Sequence, residues 1–258
     1  MSEFSKFLRY IIPGLIFGFE YVLLIFSSNY TCFSELLRSH SEHIINAGSA
    51  AVALLTAGGI GFIFSAIHHV IFHIVRRFNI PFLRIDHLKT LKAAEKKNLI
   101  SFEKIEDTDN ISAEDLSQSG AWRILTYYWN SQLNVSKAIK ASDVRTKSLT
   151  DLLHGTGTNL VANIVALTTA GLTIYYLEIG TQFFQHWIVI IIALCLFLTH
   201  LLNHFFVIRD CEGVINAIIL QDLAATKKSN KLEVRLFVSE KDMEWRWLKW
   251  FKTNVKRF

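Results

Sequence analysis

The chain has 258 residues, a formal net charge of +5, 51% hydrophobic and 19% charged residues, and a mean hydropathy of +0.31. That composition is too apolar for an ordinary soluble domain, and the apolar residues fall in blocks instead of at amphipathic spacing, which argues against a soluble four-helix bundle. The blocks cover residues 10–26, 47–74, 160–176 and 187–208, each approaching the roughly 20 residues needed to cross a hydrocarbon core.

The first block is preceded by Lys6 and Arg9, the charge pattern of a signal peptide, but no A-x-A-like site follows and Glu20 interrupts it. A retained membrane anchor is therefore expected. Gly14 and Gly18 form a GxxxG pattern suited to close helix packing. Glu20 is a lone acid deep in an apolar run; burying it charged is costly, so it needs a partner or a wetted surrounding. The loop over 27–46 has one basic residue, Arg38, with Cys32 and an Asn29-Tyr30-Thr31 sequon beside it.

The second block carries Ala53, Ala57, Gly61, Ser65, His69 and His73 at four-residue intervals. This spacing keeps side chains near one face, and the small members again point to tight helix packing. Pro81 marks the end of the block. Beyond it, helix formers with Leu88, Leu91 and Leu99 predict a helix over 84–105. Ser112 and Asp115 have the spacing of a capping box opening the next helix, whose apolar side is Trp122, Leu125, Tyr128 and Trp129. Another helix is expected from about Asn134 into the third block, with Gly155-Thr156-Gly157 as a candidate break.

The third block offers Asn159, Asn163, Thr169 and Thr173 among small alanines, a combination that suits a wetted lining or interhelical hydrogen bonds. The fourth carries His200 and His204. With His69 and His73 they make two i, i+4 pairs that could share one metal. The chain lacks the His-x-x-His-His boxes of membrane desaturases, so no cofactor is expected and a metal at these four is the alternative. The tail alternates in strand fashion over 232–238. It ends in an amphipathic segment over 240–258, where Arg246, Lys249, Lys252, Lys256 and Arg257 interleave with aromatic rings, the chemistry of a helix docked on anionic lipid. Walker, dinucleotide, zinc-protease, nucleophile-elbow and kinase signatures are absent from the sequence.

Charge sets the orientation. Two basic residues precede the first block, 13 lie from Arg76 to Lys147 and 11 from Arg209 to Arg257, leaving Arg38 alone on the other side. Basic residues near membrane helices resist translocation, so both termini and the central loop should be cytoplasmic. Cys32, Cys195 and Cys211 then share no oxidising compartment, which excludes an intrachain disulfide framework. The expected fold is an all-α integral membrane protein with four transmembrane helices and a helical cytoplasmic layer. Its segments are 1–76 (first two spans), 77–155 (cytoplasmic helices), 156–208 (last two spans) and 209–258 (cytoplasmic tail).

Residues 6–14 (KFLRYIIPG), the four spans with cytoplasmic ends and the basic inner region resemble the small four-span, channel-like effectors of bacterial anti-phage systems, of the Hailong effector or Kiwa membrane-subunit type. The resemblance implies depolarisation of a bacterial inner membrane, gated by a nucleotide, an oligonucleotide or a cytosolic protein. From the residues themselves, the expected function is a homo-oligomeric channel gated from the cytoplasm by an anionic ligand or partner. Glu20, Asn159, Asn163, Thr169 and Thr173 are its candidate lining, and His69, His73, His200 and His204 stand at its inner mouth. Gly14, Gly18, Ala57, Gly61 and Ser65 are the helix-packing candidates. A histidine-ligated oxidoreductase and a passive membrane scaffold are the alternatives.

Overall fold

Six α-helices hold most of the described residues: α1 (Glu3–Ser28), α2 (Ala47–Arg77), α3 (His87–Lys96), α4 (Gln118–Gln132), α5 (Lys137–Tyr176) and α6 (Phe183–Asn230). The computed structural model describes residues 3–28, 38, 47–77, 85–104, 110–176, 183–230 and 234–238. Pro81 and the basic-aromatic segment, with Arg246, Lys249, Lys252, Lys256 and Arg257, lie outside the described residues. Helices α1, α2, α5 and α6 are each long and apolar enough to cross a membrane. The chain divides into two units, one formed by 1–72 with 151–207 and the other by 73–150 with 208–258.

The first unit contains α1 and the parts of α2, α5 and α6 within those bounds. Its outward side chains include many large apolar ones: Val52, Leu55, Phe62 and Ile63 on α2, and Ile188, Ile191, Leu194, Leu202 and Phe206 on α6. A surface of this kind is rare on a protein that meets water. Inside, α1 and α2 approach backbone to backbone. A methyl group added at Gly14 would overlap the Ala57 carbonyl, and one at Gly61 would overlap the Tyr10 carbonyl. The missing Cβ atoms permit this approach. Gly18 faces open space. Phe17 packs on Phe64 with ring centroids 5.5 Å apart, next to Val161 and Ala162. Hydroxyls in this unit close onto their own helices, Ser27 Oγ donating to the Leu23 carbonyl at 2.7 Å, Thr168 Oγ1 to Ile164 at 2.8 Å and Thr199 Oγ1 to Cys195 at 2.8 Å. An unpaired hydroxyl in apolar surroundings would cost more than these bent local bonds.

The second unit holds a three-stranded sheet of β1 (Ile100–Lys104), β2 (Asn110–Ile111) and β3 (Val234–Val238), in the order β2-β1-β3. Strand β1 runs antiparallel to β2, with Phe102 opposite Ile111, and parallel to β3, with Phe102 opposite Leu236. The single helix expected over 84–105 is thus corrected. The chain leaves α3 at Lys96, and Asn98 takes a left-handed φ of 52°, a conformation that asparagine tolerates better than most residues. That residue turns the chain into β1. The capping box forms at Ser112 and Asp115, but it closes a short 3₁₀ turn over Ala113–Asp115. Helix α4 starts afterwards, capped by Ser117, whose Oγ accepts from the Gly120 N–H at 2.9 Å. The glycines at 155 and 157 do not interrupt α5.

The core of this unit joins Leu91, Ile100, Phe102, Leu116, Leu125, Ile139, Ile219, Leu223 and Leu236. Two polar bonds lie within it. The Tyr128 hydroxyl donates to Asp222 Oδ2 at 2.7 Å, and Ser136 Oγ donates to Asp222 Oδ1. Burial, and then the hydrogen bond to Asp222, raises the Tyr128 phenol above its ordinary value of 10.0. Tyr128→Phe removes one donor to a buried carboxylate and should lower stability by about 1.5–3 kcal/mol. Above about pH 10 the unfolded chain's phenol ionises while the folded one stays protonated, so this contribution is lost as pH rises. Thermal unfolding of the detergent-solubilised protein across that pH range checks it: the wild-type chain should lose stability more steeply than the Phe variant.

Candidate functional site

Thr156, Asn159, Asn163, Ala166, Ala170 and Thr173 recur along α5 at alternating steps of three and four residues, which keeps them on one face. At about 1.5 Å per residue, this face runs for about 25 Å. Asn163, Ala166, Ala170 and Thr156 are buried. The alanines let neighbouring helices close in, and Thr156, Asn163 and Thr173 meet partners from α6 and α1.

At the centre of this face lies Glu20, 3% exposed, opposite Asn163, 0% exposed. Asn163 Nδ2 donates to Glu20 Oε2 at 2.9 Å, while Glu20 Oε1 lies 2.8 Å from His200 Nε2. A carboxyl, an amide and an imidazole from three helices therefore form one buried network. Glu20 is the only acidic residue of α1 beyond its first turn, and the network provides the partners that burial of an acid requires. Tyr21 and Thr173 share a hydroxyl–hydroxyl bond of 3.2 Å, and Thr173 Oγ1 also donates to the Thr169 carbonyl at 2.9 Å.

Nearer the start of this stretch of α5, three imidazoles converge. His68 lies with its ring centroid 5.6 Å from His154 and 6.0 Å from His204. The His204 Nδ1 is 3.0 Å from the Thr156 hydroxyl, and His69 stands 6.0 Å from His154. The His68 ring lies directly on Gly157, where any Cβ would overlap it. That contact is the structural use of the second glycine in Gly155-Thr156-Gly157. Beyond the imidazoles, Arg9 Nη1 donates to Asp151 Oδ1 at 3.3 Å.

Along this series Arg9 Nε, His68 Nε2, Asn159 Oδ1 and Asn163 Oδ1 are buried without a hydrogen-bond partner among the described residues. Buried polar atoms without partners are uncommon in folded proteins. This face of α5 with its partners forms a seam that is polar and incompletely satisfied.

The sequence candidates distribute unevenly over this geometry. Glu20, Asn163 and His200 are brought into one network, and His204 stands beside His68, which lies next to His154, with His69 6.0 Å from His154. His73 is exposed, as is Cys195. Among the described residues, no group of three or more His, Cys, Asp or Glu has the geometry to hold a metal ion. Thr169 and Asn159 are partly buried, Gly14, Ala57 and Gly61 sit at the close helix contact, and Ser65 is partly buried. Arg9, Tyr21, Asp151 and Thr156 were not expected as site residues. Only their three-dimensional partners, each more than 40 positions away in the chain, reveal them.

Compared with known proteins, the chain matches no family model, no curated protein and no solved structure.

Proposed function

We propose that the protein is a multi-pass membrane channel whose conducting path is the polar seam along α5. The observation that carries this reading is the Glu20–Asn163–His200 network, buried inside helices whose outer faces are apolar. Ionisable residues within membrane helices are costly, and their usual use is an ion path, a proton relay or a ligand counter-charge. The basic-residue distribution orients both termini and residues 77–155 and 209–258 toward the cytoplasm.

Several copies assemble in the membrane. The outward faces of α2 and α6 supply apolar surface for both lipid and neighbouring copies, and closed symmetry is the common outcome of such self-association. The cytoplasmic segments carry 26 basic and 18 acidic residues, a balance that attracts an anionic ligand or an acidic partner. A ligand that binds the open form more tightly would open the path. In the anti-phage reading, that opening depolarises the inner membrane of an infected bacterium and halts its growth.

The test is current across a planar bilayer holding the purified chain, with ATP and then a short RNA oligonucleotide added on the tail side. Current above the protein-free level that changes in Asn163→Leu supports the channel. Silence from folded, inserted protein under every addition contradicts it and favours a passive scaffold for a cytosolic partner.

A further inference from the structure

Resting on the channel reading, we propose that the ion carried is the proton, and that the titratable groups of the seam are its relay. The seam presents proton-exchanging groups in series, contributed by all four apolar helices. They are Asp151 and His154 on α5, His68 on α2, His204 and His200 on α6, and Glu20 on α1. Arg9, Tyr10, Tyr21 and His69 are the other titratable groups of these helices near the seam.

The spacings suit hopping. Asp151 and His154 are three residues apart on α5, which places them as neighbours on the helix surface. The imidazole centroids from His154 to His68 and from His68 to His204 lie 5.6 and 6.0 Å apart, a gap that one water bridges. His204 and His200 are one helical turn apart, about 6 Å of rise. His200 then contacts Glu20 directly at 2.8 Å. An imidazole takes a proton on one nitrogen and releases one from the other, so each hop forms one N–H bond and breaks another. The Glu20 carboxylate gains an O–H bond as His200 gives up its proton, and regains its charge when that proton passes on. No oxidant, reductant or covalent intermediate is involved, and the ring regains its starting tautomer by rotation or by exchange with water.

Intramembrane Asp, Glu and His in series are the recurring hardware of proton relays. Glu20 is the element that a proton path cannot lose, because every other acid of the relay lies at its start.

The decisive measurement uses full-length protein in phosphatidylethanolamine–phosphatidylglycerol vesicles loaded with the pH dye pyranine. A potassium diffusion potential set by valinomycin drives the flux, with ATP and a short RNA oligonucleotide on both sides. Parallel vesicles without valinomycin carry a sodium or a chloride indicator. The expected result is proton entry into wild-type vesicles, reduced to the protein-free rate by Glu20→Gln and restored in part by Glu20→Asp. Glutamine keeps an acceptor for Asn163 and a contact for His200, so Glu20→Gln should match the wild-type thermal stability, which separates lost transport from lost fold. Proton flux unchanged in Glu20→Gln overturns the relay. Sodium or chloride flux without proton flux overturns the proton assignment and leaves the channel standing. Absence of every flux overturns both.

Discussion

Gly61→Val and Gly14→Val should each unfold or severely loosen the apolar helical unit, with a loss of about 3 kcal/mol or more. At both positions a side chain would run into main-chain atoms of the facing helix, the Tyr10 carbonyl for Gly61 and the Ala57 carbonyl for Gly14. A side chain can rotate away from an overlap; a helix backbone cannot move without carrying its neighbours. Small-residue contacts of this kind hold membrane helices together in the absence of a hydrophobic drive between them. Gly18→Val and Gly59→Val are the controls, since nothing lies within 4 Å of a Cβ at either position. Thermal unfolding and size-exclusion profiles in detergent distinguish the pairs. Equal behaviour of all four variants would mean that α1 and α2 do not meet at these glycines.

Glu20→Leu should have the second largest effect. It leaves the Asn163 amide and the His200 imidazole each without its hydrogen-bond partner. A buried hydrogen-bonding group left without its partner typically costs about 1–3 kcal/mol. Replacing Asn163 by Leu as well should restore part of that loss, because the two residues act on one network and their effects should couple by about 0.5–3 kcal/mol. Fully additive losses in the double variant would show that Glu20 and Asn163 do not interact in the folded protein. The leucine variant should also conduct nothing, for the separate reason that the acid is gone.

The parts of the fold that were legible from the sequence are those set by local pattern. Continuous apolar runs are sufficient to specify α1, α2, α5 and α6 as long helices, and alternation over 232–238 marks β3. Strand β1 was hidden because 84–105 is rich in helix formers, and a single asparagine with positive φ ends the helix at the start of the strand's apolar residues. A Lys-Lys-Asn run followed by the alternation of Ile100 and Phe102 was the available signal. Its partner β3 lies more than 130 residues downstream and pairs in parallel, a register that no local pattern specifies. The seam was legible one residue at a time. Glu20 and Asn163 stand out as polar groups in apolar runs, but they are 143 positions apart, and His200 is 180 from Glu20. The i, i+4 rule groups His200 with His204 correctly as neighbours on one helix. It says nothing of which helices face them, so the convergence of His68 and His154 on His204 required the packed structure.

The most direct test of a conducting seam is silver-ion block of single-cysteine variants in planar bilayers, in a background with Cys32, Cys195 and Cys211 replaced by serine or alanine. Asn163→Cys, Ala166→Cys and Ala170→Cys place the thiol on the buried polar face of α5, whereas Ile164→Cys and Leu172→Cys place it on the outward apolar face. Silver ions reach thiols through water, so the first three currents should be blocked and the last two unaffected. Block confined to Ile164→Cys and Leu172→Cys, or block of none of the five, would contradict conduction along the seam.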